Sequence, residues 1–246
     1  MQLSLQFFLQ MLTSTTKLTS QECDAILSLT GTREELPSHT TFVDQGSTLE
    51  SVCLVVEGLC GRLEPAKEER QQITGLYVKG DIPDLYGVYI PNANESFIAL
   101  CPSSILRIRH SSIRKIINEH PGIAEAITRY LLIYAATTSV WLVNLGARDA
   151  ASRISHFFCE TALRLRAEEG NAFSFPLRIT QTQLSEIVGL SAVHVNRSLK
   201  SLREAELVSF MSGRVHVLDW QGLVKAAGFD PAYLRHQGKQ LRFAPA

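Results

Sequence analysis

The stretch from Arg178 to Arg203 places two helix starts and a forced reversal within a few residues of one another, and few folds accommodate that combination. Thr180 with Gln183 three residues later reads as a capping box, so a helix is predicted from Gln181 with Leu184, Ile187 and Val188 turned inward. Gly189 ends it, because a helix that must reverse in three residues wants one that tolerates positive φ. Ser191 caps a second helix, whose apolar face is Val195, Leu199 and Leu202. A short helix, a glycine turn and a second capped helix make a helix-turn-helix. On the second helix Val193, His194, Asn196, Arg197 and Lys200 fall on or near the face away from that stripe. A recognition helix lies in the major groove with its N-terminal part at the base edges. Arg197 is suited to a bidentate contact with guanine, Asn196 to adenine or a phosphate, and His194 to a base or a phosphate. Lys200 and Arg203, further along, fit backbone contacts, and Thr180, Gln181 and Ser191 at the two helix starts join the DNA-facing set. A solvated basic face is the bland alternative; the double-cap context decides for double-stranded DNA.

Downstream, Leu207–Met211 and Val215–Leu218 read as two strands around Ser212-Gly213-Arg214, the wing of a winged helix-turn-helix, with Arg214 at its tip within reach of a phosphate. Asp219 is expected to cap a last helix that packs back through Trp220, Leu223 and Val224. Upstream, Ala150–Arg166 reads as a helix and Phe173–Leu177 as a short strand.

Between Ile123 and Leu145 the chain runs without Gly or Pro, and Ile123, Ile127, Tyr130, Tyr134, Thr137 and Trp141 recur at alternating spacings of four and three. That is one seam of a coiled coil, so a long helix is predicted whose stripe packs either on the rest of the chain or on a second copy; self-association along this seam is the reading taken. Gly146-Ala147-Arg148-Asp149 interrupts the run and is the expected hinge.

Earlier still, from about Thr40 to Ile108, short β-rich pieces (Thr41–Val43, Val52–Val56, Ile73–Val78, Phe97–Leu100 and Leu106–Ile108) alternate with turn residues such as Gln45-Gly46, Glu57-Gly58 and Lys79-Gly80-Asp81. Together they outline a small antiparallel barrel or sandwich. A short helix at Ser112–Asn118 follows it, while an amphipathic helix over the first twelve residues and another from Thr19 to about Leu29 precede it.

Whole-chain charge conceals this organisation. The 246 residues hold 24 Lys and Arg against 24 Asp and Glu, yet residues 1–145 hold 11 against 15 and residues 146–246 hold 13 against 9, a net of −4 and +4. The basic half is the one to search for an anionic partner. Five scattered cysteines argue for reduced thiols in the cytoplasm rather than a disulfide framework. No basic residue precedes the apolar N-terminal run, as a signal peptide requires, and no stretch is read as approaching the roughly 20 apolar residues of a membrane span.

With β-roll, long helix, hinge and winged helix in order, the chain resembles the Crp/Fnr family of bacterial transcription regulators from about residue 20 to 230. Thr180–Ser191, Val193–Leu199 and Leu218-Asp219-Trp220 carry the resemblance. It implies an α+β fold: an N-terminal antiparallel β-roll like cyclic-nucleotide-binding domains (residues 1–120), a central dimerisation helix (121–146) and a C-terminal winged helix-turn-helix (147–246). It further implies a homodimer on a two-fold symmetric operator, with RNA polymerase as a further partner and an effector or sensed signal in the roll. Two departures matter. Many members carry a glutamate on the recognition helix before the arginine that matches Arg197; a gapless match sets Val193 there and a count by distance His194, so no acidic reader of a cytosine amino group is present. In cyclic-nucleotide binders a Gly-Glu pair and an Arg hold the ribose and phosphate. Here Gly80-Asp81 keeps an outline of the pair, but no Lys or Arg lies between Gly80 and Leu106, while Asp81, Asp84 and Glu95 are acidic. Gly80, Asp81 and Asp84 are therefore the candidate effector pocket, for a small molecule other than cyclic AMP.

His110 and His120 are read as surface histidines at helix ends. No nucleophile turn, phosphate-cradling loop, metal-ligand spacing or cofactor motif is present, so an enzyme is the least expected class. The competing reading is a ligand-binding or protein-docking module whose helix-turn-helix no longer reads DNA.

Overall fold

A computed structural model describes residues 2–65, 71–165, 167 and 170–234 of the chain. Helix α1 (Gln2–Thr13) buries Leu5, Phe8 and Leu12, and α2 (Ser20–Leu27) starts on a capping box of Thr19 with Glu22. Seven strands follow: β1 (Thr32–Leu36), β2 (Thr41–Val43), β3 (Ser51–Glu57), β4 (Cys60–Pro65), β5 (Gln71–Tyr77), β6 (Ser96–Ala99) and β7 (Ser103–Arg109). They form two antiparallel sheets, in the orders β1-β7-β3 and β2-β6-β4-β5, which are the expected roll. Phe42, Tyr77 and Phe97 fill the space between them, with the Phe97 ring 5.7 Å from Tyr77 and 6.3 Å from Phe42. β1 and β4 are strands that the apolar pattern does not announce.

Helix α3 (His110–Glu119) leads into α4 (Pro121–Ala147), which opens on a proline at its first turn. Gly146 is inside α4, so the interruption narrows to Arg148 and Asp149, both in extended conformation; Asp149 then caps α5 (Ala150–Arg164) by accepting from the Ser152 N–H at 2.9 Å. By length and composition α4 is apolar enough to cross a membrane, which corrects the reading that no stretch comes close. One side of it is a packing face: Ile123, Ala126, Ile127 and Tyr130 are buried against α1 and the roll, and Trp141 against α5.

Strand β8 (Phe173–Pro176) pairs with the last of the wing strands in a three-stranded sheet ordered β8-β10-β9, where β9 is Val208–Met211 and β10 is Arg214–Val217. Between β8 and β9 lie α6 (Gln181–Val188) and α7 (Ala192–Glu204), and α8 (Trp220–Ala227) closes the domain. Asp219 stands at the start of α8 without a side-chain capping bond; its carboxylate lies over Gly222 instead. The core of this domain runs on into the roll, since Leu59, Ile73, Leu76 and Leu100 pack in one cluster with Phe157, Leu184 and Ile187.

Candidate nucleic-acid interface

The helix-turn-helix forms from the local grammar the sequence predicts. Gln183 returns the Thr180 cap: the Thr180 N–H donates to Gln183 Oε1 at 2.7 Å and the Gln183 N–H to Thr180 Oγ1 at 3.1 Å. Gly189 ends α6 in the left-handed region, φ 62° and ψ 42°. Ser191 Oγ accepts the His194 N–H at 3.3 Å and so starts α7. Leu184, Ile187, Val188, Val195 and Leu202 are buried beneath, leaving Val193, His194, Asn196, Arg197, Lys200 and Arg203 exposed on one helix, together with Thr180, Gln181 and Ser191.

Val193 and Arg197 are one turn apart, and Asn196 and Lys200 border the same stripe. Lys200 is 3.7 Å from Glu204, an exposed pair that holds it weakly. The wing differs from expectation in one respect. Ser212 and Gly213 form the turn, while Arg214 is the first residue of β10 and donates to Ser174 Oγ at 3.1 Å. The sequence pattern does not single out Arg178. It is exposed, and its Cα lies beside the Gly213 turn because the Leu177 N–H donates to Gly213 O at 2.8 Å. Arg178, Arg197, Lys200, Arg203 and Arg214 thus give the domain exposed cations on both helix and wing.

The expected dimer seam is occupied within the chain itself. Ile123, Ile127, Tyr130 and Trp141 are buried, Tyr134 stacks on Tyr77 of the roll at 5.3 Å, and Thr137 is half-buried. The period holds, but this face of the helix is spent on the fold. The exposed stripe has the same spacings of four and three: Thr128, Leu132, Ala135, Ser139, Leu142 and Gly146, flanked by Leu131 and Val143.

The expected effector residues are also engaged. Gly80 is in the left-handed region under α1, with Phe7 O 3.0 Å from where a Cβ would stand. Asp81 Oδ2 accepts the Val78 N–H at 2.7 Å and pairs with Arg164 at 2.9 Å, joining the roll to α5. Arg164 also donates to Tyr134 Oη at 3.0 Å and lies 3.5 Å from Glu160, which in turn accepts from Trp141 Nε1 at 3.0 Å and Tyr233 Oη at 2.6 Å. Burial pushes the Asp81 carboxyl up and Arg164 pulls it back; burial opposes the Arg164 charge, and Tyr134, Asp81 and Glu160 outweigh it. Asp84 is wholly buried, accepts the Cys53 N–H at 2.7 Å and leaves Oδ2 without a partner among the described residues. Its pKa is pushed up to about 6 by burial. His110, expected at the surface, is buried beside Gly87. All five cysteines are free thiols.

Two further contacts hold α6 to the roll. Gln183 Nε2 donates to Leu100 O at 2.9 Å, and Gln72 Nε2 donates to Glu186 O and, at 3.3 Å, to Ile187 O. Arg153 bridges the ends of two helices, donating to Leu145 O and Val188 O, each at 2.9 Å.

Residues 152–226 match the Crp-like helix-turn-helix domain. The chain is 26% identical over 179 residues to the cAMP-activated global transcriptional regulator CRP of Salmonella typhimurium, a match covering 70% of this chain and 83% of that one. It is 22% identical over 208 residues to the transcriptional activator protein Anr of Pseudomonas protegens, covering 85% of each. Among solved structures, FixK2 from Bradyrhizobium japonicum superposes with a TM-score of 0.73 at 18% identity, over 82% of this chain and 100% of that one. Residues 152–226 are thus a Crp-like helix-turn-helix domain, and the chain as a whole is similar in sequence and fold to regulators of the Crp/Fnr family.

Proposed function

We propose that the chain is a sequence-specific, DNA-binding transcription regulator of the Crp/Fnr type that works in the cytoplasm as a homodimer on a two-fold symmetric operator. The exposed face of α7 carries this reading: a doubly capped helix-turn-helix leaves Arg197, Asn196 and His194 solvent-facing and commits none of them to the core. The relatives' names as transcriptional regulators support it.

Dimerisation runs along the exposed stripe of α4, where Leu132 and Leu142, 64% and 66% exposed, stand among Thr128, Ala135, Ser139 and Gly146. Small residues between the leucines let two copies approach closely. Functionally the chain divides into the roll through residue 120, the α4 dimer helix, and the DNA-reading part that begins after Arg148. RNA polymerase is its further partner, and a signal acts through the roll. A cyclic nucleotide is a poor candidate for that signal, because aromatic side chains fill the roll and Asp84 offers a buried carboxylate where a phosphate needs a cation or amides.

The test is recovery of bound genomic fragments by the full chain, followed by binding at graded salt. A palindromic motif whose affinity falls steeply with salt is expected. Arg197→Ala is expected to flatten preference at one base position per half-site by about tenfold or more. Failure to retain any fragment at low salt favours the docking-module reading, and an asymmetric motif refutes the dimer.

A further inference from the structure

We infer that Val193 is a thymine reader: its methyl groups pack on the C5-methyl of one thymine per half-site, where a glutamate would select cytosine. The inference rests on the DNA-binding function proposed above and sharpens what that face selects. Val193 is 74% exposed, the most exposed large apolar side chain among the described residues. A lone exposed valine needs no explanation on an ordinary surface. This one is the second residue of α7, in the turn that a recognition helix turns to the base edges, and one turn before Arg197 on the same stripe.

Its neighbours narrow what that turn can recognise. Ala192 before it is also exposed and also without a hydrogen-bonding group. His194 after it is fixed by Ser191, whose Oγ lies 3.0 Å from His194 Nδ1 while accepting the His194 N–H at 3.3 Å. That contact occupies Nδ1 and leaves Nε2 as the ring nitrogen outside the cap. From Ser191 to Arg203 α7 has no carboxylate to accept from a cytosine amino group. The tip of the helix therefore offers two methyl-bearing side chains and one imidazole nitrogen. Among the four base pairs, only those with thymine present a methyl in the major groove, and its adjacent O4 accepts a hydrogen bond.

The experiment uses the full chain and an operator selected from a random duplex pool. Each thymine of that operator is replaced in turn by deoxyuridine, which removes the methyl and leaves the pairing edge intact. At one thymine per half-site the wild-type protein is expected to lose roughly fourfold in affinity, the worth of one buried methyl, and roughly fifteenfold when both half-sites are changed. Val193→Ala, a substitution at an exposed helix position, should bind thymine and deoxyuridine equally there, while Val193→Ile keeps the sensitivity and Val193→Glu shifts selection toward cytosine. An operator in which no methyl matters, or methyl sensitivity that survives unchanged in Val193→Ala, overturns the inference. If the pool yields no selected sequence at all, it is the DNA-reading function that fails, and this inference falls with it.

Discussion

Asp84→Asn should alter how stability depends on pH, in a direction the fold dictates. The Asp84 carboxyl has no exposure, one oxygen accepts the Cys53 N–H at 2.7 Å, and the other has no partner among the described residues. Burial lifts its pKa from 3.8 to about 6. Between those values the folded chain binds more protons than the unfolded one, so the contribution is fully present below about pH 4 and lost as pH rises through about 6. A rise of that size corresponds to about 3 kcal/mol. His156 runs the opposite way. Burial first, then the Arg148 charge, lowers its pKa from 6.5 to about 4, so the folded chain binds fewer protons over that window and stability rises with pH by a similar amount. In the wild-type chain the two nearly cancel. Asparagine keeps an acceptor for the Cys53 N–H and removes the titration, so the stability of Asp84→Asn relative to wild type should climb by about 3 kcal/mol between about pH 4 and 7. Urea unfolding followed by Trp141 and Trp220 fluorescence at several pH values measures this. His156→Gln serves as the control with the reverse slope. A difference between Asp84→Asn and wild type that is the same at both ends of the range would show that Asp84 does not titrate there, and would refute the reasoning.

Three other outcomes follow from the same geometry. Arg164→Met strips the cation from Asp81 and Glu160, both buried, and should cost about 3–5 kcal/mol in urea unfolding; adding Asp81→Asn should restore part of the loss. Leu132→Glu places a charge in the exposed stripe of α4 without touching the roll, and should turn a dimer into a folded monomer by analytical ultracentrifugation. Gly189→Ala forces a Cβ into the left-handed region and to 2.7 Å from Leu145 Cδ2, so thermal unfolding should register a loss of about 1–2 kcal/mol or more.

What the sequence made legible was whatever is decided within four or five residues. Thr180 with Gln183, Gly189 and Ser191 each satisfy or end a helix through their own neighbours, and all three form as read. Strands β1 and β4 escaped because their partners supply what their composition lacks. β1 carries Arg33, Glu34 and Glu35 on an edge that, among the described residues, pairs with β7 alone, and β4 holds Gly61, Arg62 and Glu64 between two neighbours. The α4 seam is instructive, because the residues read for self-association are engaged within the chain. Apolar periodicity selects the stripe with the largest side chains, and in α4 the fold itself consumes that stripe: Ile123, Tyr130 and Trp141 cover the roll and α5. What remains for a second copy is two leucines among small residues, a weaker signal that only burial separates from the first.

The residues read as an effector pocket are engaged within the fold, and their positions tie the roll to the C-terminal domain. Asp81 lines a cavity of about 490 Å³ between the roll, α1 and α4, but its charge there is spent on Arg164 of α5. The Leu100 carbonyl and the Gln72 side chain bond α6, by its Gln183 side chain and its Glu186 and Ile187 carbonyls. Each of these bonds ends on α5 or α6, whereas the face of α7 that carries Val193 and Arg197 stays exposed. These contacts tie β5 and the turn around Asp81 to α5 and α6 without touching the exposed face of α7. Arg153 ties the ends of α4 and α6 together through the Leu145, Arg148 and Val188 carbonyls. On the proposed function, substitutions on α7 should change which sequence is bound, and substitutions at Asp81, Gln72 or Arg153 should change affinity and leave the selected sequence unaltered, both read from binding to a random duplex pool.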